Sequence, residues 1–192
     1  MSTNLEIEFK NMLNEDEYKK LLAEFSIDEE KIWIQKNVYF DTPTSQLKDL
    51  GAALRIRVKN NTYELTLKTK AEVGLLETNQ LITRADYQAL KHEHLLIKGP
   101  VYDQLKNLNV EIDHLQVITD LTTKRAEVDY QGGLLVLDKS FYSDVIDFEL
   151  EYEVQNYDEG LAQFQALLKK YKIPTRPTEN KIKRATQAMH SK

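Results

Sequence analysis

Apolar and polar residues alternate one by one through most of this chain, the pattern of strands with a single buried face. The alternation predicts eight strands, at about 4–12 (NLEIEFKNM), 32–41, 52–60, 62–70, 75–83, 116–130, 133–142 and 145–154. Asn60–Asn61 and Gly132–Gly133 stand between neighbouring strands, where a tight antiparallel turn needs residues that tolerate positive φ. Helical spacing is confined to about 15–25 behind an Asn14 cap, 84–94, 100–108, 158–171 and 179–190, the last behind Pro177 and a Thr178 cap. No internal repeat and no Gly/Ser/Pro-rich linker divides the chain, so a single α+β domain over 1–192 is expected. Many short strands joined by hairpins favour a closed barrel or a two-sheet sandwich over a doubly wound parallel sheet.

The polar positions of these strands are sorted by sign. Successive side chains of a strand point to opposite faces, so Glu6, Glu8 and Lys10 share one face and Leu5, Ile7 and Phe9 the other. Arg55, Arg57 and Lys59 oppose Leu54, Ile56 and Val58, and Glu64, Thr66, Lys68 and Lys70 oppose Leu65 and Leu67. The last strand sets Asp147, Glu149, Glu151 and Glu153 against Ile146, Phe148, Leu150, Tyr152 and Val154. Solvated outer sheet faces are the ordinary home of charged strand residues. Such faces intersperse the two signs, however, because like charges along one strand gain nothing from each other. Carboxylates gathered on one face suit a hard divalent cation such as Mg²⁺ or Mn²⁺, and Arg and Lys on other strands suit phosphate oxygens. Together they describe a metal–polyphosphate site. If the strands close with the charged faces inward, the interior is a hydrated tunnel and the apolar faces meet the helices outside.

Composition narrows the classes further. The absence of cysteine excludes disulfides, thiolate metal sites and cysteine nucleophiles, and fits a reducing cytoplasm. With 26 Lys+Arg against 31 Asp+Glu the net charge is −5, which argues against a nucleic-acid polymer or a membrane surface as partner. No apolar run approaches the roughly 18 residues of a membrane span, and MSTNLEIEFK lacks the basic and apolar regions of a signal peptide.

The sequence Glu6-x-Glu8-x-Lys10 resembles the ExExK signature of the CYTH domain, or triphosphate tunnel metalloenzyme, family. Arg55-x-Arg57, Lys68, Arg125, Asp138, Glu149-x-Glu151 and a terminal helix with Lys181 and Arg184 follow in the order that family uses. The resemblance spans nearly the whole chain. It implies an eight-stranded antiparallel closed barrel with a charged interior and helices packed outside, Mg²⁺ or Mn²⁺ on tunnel carboxylates, and a small-molecule triphosphate held by basic side chains. Carried over by residue, Glu6, Glu8, Asp138, Glu149 and Glu151 correspond to metal ligands. Lys10, Arg55, Arg57, Lys68, Lys70, Arg125, Lys181 and Arg184 correspond to substrate ligands. Asp138 falls where some members place a further metal-linked carboxylate, and its alternation in GLLVLDKSFY groups it with Leu134 and Val136. Glu153 shares the face of Glu151, and these two are the candidates for the catalytic carboxylate that takes a proton from water. The fifth strand offers Glu77 and Asn79 without an Arg or Lys on its polar face, a departure that bears on substrate identity. The expected activity is metal-dependent hydrolysis of a small triphosphate, inorganic triphosphate first, with thiamine or nucleoside triphosphates also open. The alternatives are a class IV-like adenylate cyclase and a non-catalytic binder of polyphosphate or nucleotide. A homodimer is left open.

Overall fold

The computed structural model describes residues 2–190, with the side chains of 3–189. In chain order the elements are β1 (Ser2–Leu13), α1 (Glu15–Glu24), β2 (Trp33–Asp41), α2 (Gln46–Asp49), β3 (Ala53–Lys59), β4 (Thr62–Lys70), β5 (Leu75–Ile82), α3 (Arg84–Glu93) and α4 (Pro100–Asn107). They continue with β6 (Gln116–Tyr130), β7 (Gly133–Tyr142), β8 (Val145–Val154), α5 (Tyr157–Tyr171) and α6 (Lys181–His190). The eight strands close into one antiparallel barrel in the order β1-β5-β4-β3-β2-β6-β7-β8, with helices outside.

The chain divides into two compact units. The first comprises residues up to Leu5 with Gln35–Leu121. Its apolar strand positions, among them Val38, Phe40, Leu54, Ile56, Leu65 and Leu67, pack on Leu47 of α2, Tyr87 and Leu90 of α3, and Val101 and Leu105 of α4. The second comprises Glu6–Ile34 and everything from Thr122 onward. There Ala126, Leu135, Leu137, Leu150 and Tyr152 pack on Tyr18 and Leu21 of α1 and on Phe164, Leu167 and Leu168 of α5. In each unit burial of the apolar strand face leaves the charged face turned away from these helices, as the alternation dictates.

Local chemistry sets the element ends. Asn14 and Glu17 form a capping box on α1, and Thr83 and Asp86 form another on α3. Asn60 and Asn61 turn the β3–β4 hairpin with φ of 47° and 60°. The β6–β7 turn falls one residue earlier than Gly132–Gly133 implies. Gln131 and Gly132 take the positive φ values, 46° and 82°, and Gly133 pairs with Tyr130 as the first residue of β7. Helix α6 begins at Lys181, later than expected, because the Asn180 side chain accepts the Lys183 amide at 3.0 Å; the Thr178 hydroxyl donates instead to the Arg176 carbonyl. The four-residue helix α2 was not foreseen. Buried Asp41 creates it, accepting the amides of Thr42 and Leu47 with Oδ1 and that of Lys48 with Oδ2. Among the described residues no helix is long and apolar enough to cross a membrane.

Candidate functional site

Within the second unit, the charged face of β1, β6, β7 and β8 carries a lattice of ion pairs into which α6 inserts two cations. Arg125 of β6 grips Asp138 of β7 with a guanidinium fork, Nε to Oδ1 at 2.8 Å and Nη2 to Oδ2 at 2.6 Å, and also reaches Glu151 Oε2 at 2.8 Å. Lys181 Nζ lies 2.8 Å from Asp138, 2.6 Å from Glu149 and 2.6 Å from Glu151. Arg184 spans Glu149 at 2.7 Å and Asp147 at 2.8 Å, and the Tyr142 hydroxyl donates to the same Asp147 oxygen. Lys10 sits 2.8 Å from Glu8 and 3.4 Å from Glu151.

Burial this deep is tolerable only because the charges compensate one another. Asp138 and Glu149 are fully buried, and Glu151 is 3% exposed. Burial pushes the Glu151 carboxyl up, but Lys181, Lys10 and Arg125 outweigh it and hold it well below the ordinary range. Burial likewise works against the charge of Lys181, and Asp138, Glu151 and Glu149 reverse the balance, raising it well above an ordinary lysine. Two buried carboxylate oxygens of this lattice, Oε1 of Glu149 and Oδ1 of Asp147, have no hydrogen-bond partner among the described residues.

The position of Asp138 follows from register. It does share a face with Leu134 and Val136, and that face is the charged one: Asp138 pairs with Arg125 and Glu149, Val136 with Glu151, and Leu134 with Glu153. An apolar pair therefore lines the charged side of β7. The grouping along GLLVLDKSFY was correct, and what misleads is that two apolar residues stand on a polar face.

At the other end of this face, Glu6 and Glu8 of β1 and Glu153 of β8 bring carboxylate oxygens within 4.8 Å of one another. Glu8 and Glu153 are register partners. Burial, then the charges of Glu151, Glu6 and Glu8, push the Glu153 carboxyl up to about 7, against a weaker opposing pull from Arg125. An all-oxygen donor set carrying crowded negative charge fits a hard divalent cation. At this point Asp138, Glu149 and Glu151 differ, since their oxygens already meet Arg125, Lys181 and Arg184.

Glu153 makes a testable contribution to stability. Its folded carboxyl holds a proton more tightly than an unfolded one, whose ordinary value is 4.5, so the unfolded chain ionises first as pH rises. Stability therefore declines between about pH 4.5 and about pH 7 on this residue's account. Glu153→Gln is expected to raise the thermal midpoint of the metal-free protein by a few degrees at about pH 8 and to leave it unchanged at about pH 4. An equal shift at both pH values in a calorimetric scan contradicts the crowding.

The first unit carries the cationic row. Arg55 and Arg57 alternate along β3, and Lys68 and Lys70 along β4. Lys68 Nζ lies 2.7 Å from Glu77 of β5, and Arg55 Nη2 lies 3.7 Å from the same oxygen. Burial raises the Glu77 carboxyl, but Lys68 and Arg55 overcome it and hold it down to about 2. Asn79 donates to Glu77 at 3.4 Å and accepts from Thr66 at 2.7 Å. Arg57 Nε donates to Asn37 Oδ1 at 3.2 Å, which fixes the guanidinium plane. Lys70 is exposed, and its stem packs on the turn at Gly51, where φ is +64° and a Cβ would come within 2.2 Å of Lys70 Cε.

Asn37 was not singled out beforehand, and Thr66 was placed on the polar face of β4 without a role. The signal for Asn37 was present, because Gln35, Asn37, Tyr39 and Asp41 alternate along β2 exactly as the cationic residues do along β3, with Asn37 opposite Arg57. Asp147 was visible as part of the acidic row and Arg184 as a cation of the terminal helix, but their pairing, and that of Asp147 with Tyr142, was not.

Residues 4–186 match the family described as CYTH domain. The chain is 45% identical over 184 residues to "Putative triphosphatase YjbK" of Bacillus subtilis (strain 168), covering 96% of this chain and 95% of that one. The crystal structure of a "putative adenylate cyclase" from Bacillus halodurans superposes with a TM-score of 0.92 at 38% identity, covering 96% of this chain and 98% of that one. HpAC1 from Hippeastrum, 22% identical over 96% of each chain with a TM-score of 0.76, shares the fold.

Proposed function

Because this chain belongs to the CYTH domain family, we propose that it is a metal-dependent triphosphatase acting on a small triphosphate, with inorganic triphosphate the leading substrate. The observation that carries this reading is the carboxylate cluster at Glu6, Glu8 and Glu153 in the second unit; the first unit, taken by itself, carries cations held in place by neighbouring side chains at Arg55, Arg57 and Lys68. The 45% identical relative carries the name "Putative triphosphatase YjbK", which points the same way.

In this proposal Lys10, Arg55, Arg57, Lys68 and Arg125 bind phosphate oxygens, with Lys70, Lys181 and Arg184 as further cationic contacts. Guanidinium forks bind two oxygens at once and ammonium groups act as point charges. Glu6 and Glu8 would hold Mg²⁺ or Mn²⁺, with Glu153 beside them left to serve as a base. When bound, that ion neutralises phosphate charge and polarises a phosphoryl oxygen. Asp138, Glu149 and Glu151 keep Arg125, Lys181 and Arg184 ionised and oriented, and remain the alternative metal ligands. In the reaction a water oxygen bonds to the terminal phosphorus, the anhydride bond breaks with its electron pair leaving on diphosphate, and the water gives up a proton. Glu153 is the proposed acceptor, because Glu151 is engaged by three cations. No covalent enzyme intermediate is needed.

A second reading rests on the 38% identical relative described as a "putative adenylate cyclase". Cyclisation uses the same phosphate and metal ligands but also needs an adenine pocket and an activated ribose 3′-hydroxyl. A screen of phosphate release from inorganic triphosphate, thiamine triphosphate, ATP and GTP, with Mg²⁺ and Mn²⁺ in turn, separates the possibilities. Release from inorganic triphosphate exceeding that from the nucleotides is expected. Cyclic AMP and diphosphate from ATP would replace the proposal with the cyclase, and tight binding without turnover would replace it with a sensor.

A further inference from the structure

Residues 172–180 carry the chain from α5 to α6, and side chains near the start of the chain tie them down. Asn11 of β1, fully buried, accepts the Arg176 amide at 2.7 Å with Oδ1 and donates from Nδ2 to the Pro174 carbonyl at 3.0 Å and the Met12 carbonyl at 2.9 Å. The Arg176 guanidinium forks onto Glu17 of α1, at 2.7 Å and 2.9 Å, and donates to the Met12 carbonyl at 3.0 Å. Glu17 serves two structures at once, because its Oε2 also accepts the Asn14 amide at 2.9 Å in the α1 capping box. Farther along, the Thr178 hydroxyl returns to the Arg176 carbonyl, and Asn180 caps α6.

Helix α6 needs such an anchor. At ten residues it is too short to be stable by itself, and its first turn delivers Lys181 and Arg184 to buried carboxylates, a placement that fails if the helix shifts. A fully buried amide whose oxygen and nitrogen both bond to the connecting segment fixes that segment's register, and the bidentate Glu17–Arg176 pair fixes its direction.

We propose that Asn11, Glu17 and Arg176 form a clamp that sets the position of α6 and thereby the presentation of Lys181 and Arg184 to Asp138, Glu149 and Glu151. Glu17 and Arg176 are then positioning residues for the reaction proposed above, and only the kinetic part of the inference rests on that reaction. The clamp lies wholly within the second unit.

The test is hydrogen exchange on the full chain, read by mass spectrometry, alongside phosphate-release kinetics. Arg176→Gln and Glu17→Ala are expected to speed exchange across 178–189 by about tenfold or more while α5 keeps its protection. Asn14→Ala, which removes the cap side chain but leaves the fork, is expected to loosen α1 alone. The reversed pair Glu17→Arg with Arg176→Glu is expected to restore part of the protection of 178–189. In kinetics, Arg176→Gln raises KM for inorganic triphosphate by about tenfold with a smaller change in kcat, and Arg176→Lys falls between it and the unmodified protein. Unchanged exchange in both single variants overturns the clamp, and so does loosening of α6 by Asn14→Ala to the same degree. Selective loosening of α6 in a protein that releases no phosphate from any triphosphate upholds the clamp and defeats the proposed function.

Discussion

Glu8→Gln is expected to lower the turnover of inorganic triphosphate by about 10³-fold while leaving the fold intact. The substitution keeps the shape of the side chain and removes one of the clustered charges at Glu6, Glu8 and Glu153. Loss of metal polarisation is worth several kcal/mol at the transition state, and each ~1.4 kcal/mol is tenfold in rate. The fold should tolerate the change, because the ion-pair partner of Glu8, Lys10, retains Glu151 at 3.4 Å. Arg57→Ala belongs to a different class. On the proposed role of Arg57 it removes a charge-assisted contact to phosphate of about 1.5–3 kcal/mol, so it should raise KM by about 10- to 100-fold with less effect on kcat. Steady-state phosphate release across both variants and Glu151→Gln distinguishes the roles. Near-normal turnover in both acidic variants removes the acidic face from the mechanism.

The parts of this molecule that were legible in the sequence are those governed by local periodicity. A strand that buries one face repeats every two residues, and for that reason the predicted strands at 116–130, 133–142 and 145–154 coincide with β6, β7 and β8. Turn positions were legible to within a residue, because Gln131 tolerates positive φ through its context and not its type. Partnership across the sheet was less accessible. Nothing in the spacing of Lys181 and Arg184 reveals that α6 sinks them among Asp138, Glu149 and Glu151, because that depends on where a connecting segment anchored by Asn11 and Arg176 releases the helix. The support of Arg57 by Asn37 is of the same kind. Both residues show the right alternation, but only the pairing of β2 with β3 puts them opposite each other.

Lys181→Met is expected to produce the largest loss of stability of any single change on this face, about 3–5 kcal/mol at neutral pH, the usual cost of breaking a buried ion pair from one side. Methionine fills much of the lysine volume, so the loss is electrostatic. Asp138, Glu149 and Glu151 would remain buried with Arg125, Arg184 and Lys10 to balance them, and the central ammonium that touches all three would be gone. The pH dependence identifies the cause. Asp138 and Glu151 have folded carboxyls depressed below their ordinary values of 3.8 and 4.5, in each case against burial and through cations that include Lys181. Their contribution is therefore fully present above about pH 4.5 and is lost as pH falls through the depressed values, so the gap between the two proteins should be widest at neutral pH and narrow in acid. Denaturant titrations at several pH values measure it. A gap that stays constant into acid would mean that Lys181 contributes packing through its stem, and the buried carboxylates would then owe their ionisation to Arg125 and Arg184 alone.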